Sequence, residues 1–233
     1  MSSAITTPAQ SATTSVPSPR STWLRPKYIL FASIALMYAY VLWNNESFLI
    51  NSKDPEWQHI GPFKWILLPH GLAAACALFL GPLQFSDRLR KRFAKVHRVM
   101  GRFYVAGVLI GAPMGIYVQH WEERLGATRS FTIATVADAA MWILATAVAM
   151  IFILQGKVQQ HRQWMTRSFA CAIIFLEVRV IIGLFHWDRY SEAIVWFCVA
   201  AAYPLADLVL QIQESLRTRA IPARKAQPAT QAG

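Results

Sequence analysis

The chain has 233 residues, 55% of them hydrophobic and only 15% charged, with a formal net charge of +11. A water-soluble domain carries about 25% charged residues, so the composition argues against one and points to lipid as the solvent. The surplus of cations would suit nucleic acid, but the cations are spread over alternate connecting segments, which argues against that partner.

Residues 1–26 are rich in Ser, Thr, Ala and Pro and nearly devoid of apolar side chains, a composition expected to stay disordered. The start lacks the basic residues and the cleavage site of a signal peptide. Six apolar runs follow, at 28–43, 65–85, 103–121, 131–155, 169–187 and 194–213. A bilayer core about 30 Å thick needs roughly 17–25 helical residues to cross it, so each run reads as a spanning helix. Trp43, Trp65, Trp121, Trp187 and Trp196 lie near run ends, where indole rings favour the headgroup level. The expected fold is therefore all-α: a six-helix transmembrane bundle over 27–213, with a basic, disordered tail over 214–233. Cys76, Cys171 and Cys198 fall inside the runs and make neither a disulfide framework nor a Cys-x-x-Cys metal pair.

The connecting segments give an orientation. Seventeen of the 23 Lys and Arg lie in 1–27, 86–102, 156–168 and 214–233, against five in the segments between them. The positive-inside rule puts the basic side, and with it both termini, in the cytoplasm. Gly107, Gly111 and Gly115 share one helical face at four-residue spacing, which lets a neighbouring backbone approach closely. Pro113 and Pro204 each remove a backbone donor inside a run, so kinks are expected there.

Two stretches echo each other. His97-Arg98, Met100 and Arg102 lead into a run that ends His120-Trp121-Glu122. His161-Arg162, Met165 and Arg167 lead into one that ends His186-Trp187-Asp188. The second and third runs thus read as a hairpin duplicated in the fourth and fifth. Further marks accompany this repeat: His70-Gly71, Gly81-Pro82-Leu83-Gln84-Phe85, Arg88, Arg90, Gly101, Tyr104, Trp164, Ser168, Ala170 and Arg179. Over roughly 62–183 this pattern resembles the family known as domain of unknown function 2306. The resemblance implies a multi-pass bacterial membrane protein and no activity, and the expected location is the inner membrane.

Two constellations could carry chemistry. With a rise of 1.5 Å per residue, His70, Asp138 and Arg179 lie about 8, 10 and 12 Å inward from the outer ends of their helices. Charge in hydrocarbon is costly and normally faces the bundle interior. Asp138 is therefore expected to pair with Arg179, with His70 close by, as a ligand or proton site or else as an ion pair that fixes helix register. The other constellation is His97 with His161 at the inner mouth. Two imidazoles on separate helices are the axial set of a six-coordinate haem b, and Arg102 and Arg167 could meet its propionates. His120 and His186 would form a second such pair. The simpler account is headgroup contact and snorkelling of the arginines. No Gly-x-Ser-x-Gly elbow, His-Glu-x-x-His box or phosphate loop occurs, so no catalytic residue is assigned.

The sequence therefore reads as a membrane protein with a polar core that binds or conducts a small ligand or proton. The alternatives are a haem-binding electron carrier and a structural or assembly protein. Its partner is the bilayer; self-association and a small-molecule ligand are left open.

Overall fold

A computed structural model describes residues 26–49, 51 and 53–225, and among these it is all helical. The expected N-terminal tail (1–26) and the last residues of the C-terminal tail (226–233) lie almost wholly outside that range. Helix α1 spans Pro26–Asn44, α2 Glu56–Ile60, α3 Lys64–Gln84, α4 Asp87–Arg92, α5 Ala94–Arg124, α6 Arg129–Leu154, α7 Val158–Phe185 and α8 Ser191–Lys225. Five of these, α3 and α5 to α8, are long and apolar enough to cross a membrane; the apolar part of α1, Ile29–Asn44, is shorter.

The helices begin and end where the local chemistry requires. Ser86 Oγ accepts from the Leu89 amide at 3.3 Å and caps α4, whose first turn holds Asp87 and whose last holds Arg90, Lys91 and Arg92, in line with the helix dipole. Thr128 Oγ1 does the same for α6 through the Phe131 amide at 3.4 Å. Gly126 (φ 115°) and Gly156 (φ 72°) end α5 and α6 in backbone conformations that L side chains rarely adopt. They let the Ala127 amide return to Glu122 O and the Lys157 amide to Phe152 O, both at 2.9 Å.

The connecting segment 86–102 is mostly helix: α4, then the first turns of α5. α5 and α7 both start well before their apolar runs because charged residues at a helix end do not break it. α8 continues past Gln213 to Lys225, so the first part of the expected disordered tail is helical. Pro113 and Pro204 both sit inside unbroken helices.

The core is a ring of four helices, α3 against α5, α5 against α6, α6 against α7 and α7 back against α3, with α8 on α7 and α6, and α1 on α7. Small residues make the close approaches. A Cβ on Gly107 would stand 2.5 Å from Ala73 O, so α3 and α5 touch backbone to backbone as the glycine face implied. On α1 the Tyr38 hydroxyl donates to Leu78 O of α3. The outside is apolar, with Trp65 77%, Leu72 71% and Phe197 68% exposed. Such a surface suits lipid and would be unstable in water.

Candidate functional site

At the centre of the ring, three helices are joined by side-chain hydrogen bonds. Tyr104 (α5) and Ser168 (α7) meet hydroxyl to hydroxyl at 2.7 Å, and Ser168 meets Thr146 (α6) at 2.7 Å. Thr146 also bonds Trp142 O at 2.8 Å, and Trp142 Nε1 donates to the Tyr104 hydroxyl at 3.4 Å. Tyr104, Ser168 and Thr146 are fully buried. Gly81 of α3 completes the layer, lying so close to the Phe169 ring that a side chain there would collide with it. This layer fills the bundle and leaves no polar group unmet, so it acts as a structural pin.

His97 lies seven residues before Tyr104, and His161 seven before Ser168. Seven residues are about 20° short of two turns and about 10 Å of axial rise. Because Tyr104 and Ser168 face each other, the two imidazoles share those faces two turns nearer the basic end, and they are within electrostatic reach of each other. The expected juxtaposition of His97 with His161 is therefore present. His161 Nδ1–H donates to Ala149 O at 2.9 Å, whereas His97 Nδ1 is buried without a partner.

The arginines assigned to this pair are placed otherwise. Arg167 binds Asp207 of α8 through Nε at 2.9 Å and through a terminal nitrogen at 2.7 Å, with its guanidinium 4.8 Å from the Trp164 ring centre. Arg102 is exposed on the opposite face of α5, beside Val99, Phe103 and Ala106. The two arginines thus do not flank the histidines as propionate partners would. His120 and His186 are exposed at helix ends, His186 with a left-handed φ of 52°.

The expected triad of His70, Asp138 and Arg179 does not assemble: among the described residues no hydrogen bond or ion pair joins them. His70 Nδ1–H donates to Gly111 O at 2.9 Å, and its ring packs over Gly115. Arg179 is exposed, lies over the Phe175 ring and is in electrostatic reach of Glu46, just beyond α1. The long side chain reaches outward instead of crossing to α6. Burial pushes the Glu46 carboxyl up from its ordinary range, an effect that Arg179 opposes and Glu56 reinforces.

Asp138 instead faces the α6–α7–α8 side. Its Oδ1 is fully covered and unpartnered. Around it lie the Cys171 thiol and, in electrostatic reach, Glu177 and Tyr203. The Tyr203 hydroxyl donates to Met141 O at 2.8 Å, and its ring meets Trp164 edge-on with centres 6.4 Å apart. From Trp164 the polar groups continue to Arg167 and Asp207, which line an open cleft of about 430 Å³ with Gln159, Arg162, Gln163 and Gln211.

The sequence reading passed over Cys171, Glu177 and Tyr203 for this site and left Arg167 without its partner Asp207. Glu177 lies two residues from Arg179 and so on another face of α7, and with Arg179 pointing outward that offset turns Glu177 inward. Among the described residues no cluster of three or more His, Cys, Asp or Glu side chains could hold a metal ion.

Neither the curated proteins nor the solved structures contain a match to this chain. The family profile described as predicted membrane protein (DUF2306) matches residues 67–210, from within α3 to within α8. That span takes in the four-helix ring, the hydroxyl pin, His97 and His161 and the Asp138 site, and the chain is a member of this family of predicted membrane proteins.

Proposed function

We propose that this membrane protein binds and passes protons through the α6–α7–α8 side of the bundle, with Asp138 as the central acid. The observation that carries this reading is the covered, unpartnered oxygen of Asp138 on an apolar helix, with no cation bonded to it among the described residues. The hydrogen-bond partner of this carboxyl is the Cys171 thiol, a weak donor, and a carboxylate in hydrocarbon without a cationic partner costs several kcal/mol, which makes such acids candidates for proton or ion pathways. Support comes from the groups around it: Glu177 is in electrostatic reach, and Tyr203, then Arg167 and Asp207 at the open cleft, are polar side chains placed from the buried acid toward the basic end. In this reading α1 is a sixth span, both termini lie on the basic side, and that side faces the cytoplasm, so the cleft takes protons from there.

Proteoliposomes containing the full chain should dissipate a pH gradient faster than empty liposomes, and Asp138→Asn should return the rate to that of empty ones. A wild-type rate equal to empty liposomes, or an unaffected Asp138→Asn variant, sinks the proposal. Unchanged flux together with raised thermal stability in Asp138→Leu would mark the acid as a structural feature. The haem alternative retains its imidazole pair but not its propionate partners. A reduced-minus-oxidised visible spectrum without a Soret band removes it.

A further inference from the structure

We propose that Gln84 and His97, at the basic end of the α3–α5 hairpin, bind a phosphate oxyanion. This site is separate from the Asp138 pathway and does not depend on it. Gln84 is the last residue of α3, and its amide oxygen lies 3.5 Å from where a Cβ on Gly101 would be. Gly101 is one turn beyond His97 on the same face of α5. The two side chains are therefore neighbours across the helix pair. Each keeps one covered polar atom with no partner, Gln84 Nε2 and His97 Nδ1. An amide nitrogen can only donate, and an imidazole nitrogen that carries a proton donates too. A covered donor left unmet is costly, and the Nδ1–H tautomer of His97 would make two such donors on neighbouring side chains here.

The surrounding charge selects the acceptor. Arg90 is in electrostatic reach of His97, and His161 is the other titratable neighbour. The α4 segment adds Arg88, Lys91 and Arg92, while its one acid, Asp87, is held by Arg90 at 2.6 Å. Donors without partners in a positive field suit a negatively charged oxygen and repel a metal cation. Both residues sit at helix ends, the level where headgroups lie in a bilayer, so the phosphate could belong to an anionic phospholipid or be free. Its chemistry toward Gln84 and His97 is the same in either case.

The test uses the full chain, ring-labelled at histidine, in a phosphate-free maltoside detergent. Nitrogen NMR follows the His97 signal while inorganic phosphate is added, and separately after transfer to nanodiscs containing phosphatidylglycerol. A shift of Nδ1 with phosphate identifies the free ion, and a shift only with phosphatidylglycerol identifies the lipid headgroup; either supports the proposal. Gln84→Leu should weaken the interaction by at least about tenfold. Gln84→Glu, which keeps the shape but sets a negative charge against the oxyanion, should abolish it while the melting transition is retained. No Nδ1 shift under either condition in the wild type, or an unchanged midpoint in a folded Gln84→Glu variant, overturns it.

Discussion

Ser168 holds two partners at once, Tyr104 and Thr146 at 2.7 Å each, so its removal leaves two hydroxyls to find others. Tyr104 retains Trp142, and Thr146 retains the Trp142 carbonyl. Hydrogen bonds between membrane helices contribute about 0.6 kcal/mol on average and up to about 1.7. Ser168→Ala and Tyr104→Phe should therefore each lower the unfolding free energy in detergent by about 0.5–2 kcal/mol. The double variant should lose less than the sum, because both single changes break the same bond. Strict additivity in unfolding titrations would mean that the layer does not act as a unit. Glu46 makes a second residue-scale prediction. Its folded pKa is raised by burial, against the pull of Arg179. A raised value means that the stabilising contribution is full below the unfolded pKa, near 4.5, and is lost as pH rises through the folded one. Glu46→Gln should flatten the fall in melting temperature as pH rises above about 4.5; a variant as pH-sensitive as the wild type would refute this.

At the scale of helices, the α3–α5 contact depends on a missing side chain. A methyl at Gly107 would meet the Ala73 carbonyl, a backbone atom that cannot swing aside. Gly107→Ala should destabilise the protein by about 1–3 kcal/mol through overpacking, read as a lower melting temperature in detergent. The same substitution at Gly71, where a Cβ would meet nothing within 4 Å, should have no such effect and serves as the control. The Arg167–Asp207 pair between α7 and α8 is a different case. The Asp207 side chain is 44% exposed, so solvent screening holds its contribution to less than about 1 kcal/mol. Its importance is positional, since it fixes the guanidinium at the mouth of the cleft. α5 and α7 have 31 and 28 residues, about 46 and 42 Å by helical rise, so both outrun a hydrocarbon core of about 30 Å. The excess of each helix carries its histidine, His97 or His161, to the basic end.

For the whole molecule, the orientation reading predicts that cysteines placed at 91 and 157 react with a membrane-impermeant thiol reagent only from the cytoplasmic side, whereas one at 54 reacts only from the other. Labelling of 91 and 157 from opposite sides would overturn the arrangement. The bundle itself was legible in the residues: apolar runs long enough for a bilayer, Lys and Arg gathered between the runs, a glycine face on α5 and a repeated His-Arg signature. These are local or periodic features, and lipid enforces them because every backbone polar group in hydrocarbon must be bonded within its own helix. The fronting of His97 by His161 was legible too, since a repeat places equivalent residues on equivalent faces. The partners of single polar side chains were not legible. Equal depth suggested that Asp138 and Arg179 should meet, but depth fixes only one of the coordinates that decide a contact. Helix rotation and neighbour choice fix the others, and they turned Asp138 toward Cys171, Arg179 toward Glu46 and Arg167 onto Asp207. The sequence by itself determined the solvent and the apolar helices, because hydrophobicity and charge act along the chain. Only the tertiary structure decided which buried groups are satisfied and which are left unmet, because a hydrogen bond is short and directional and is specified only once the helices are packed.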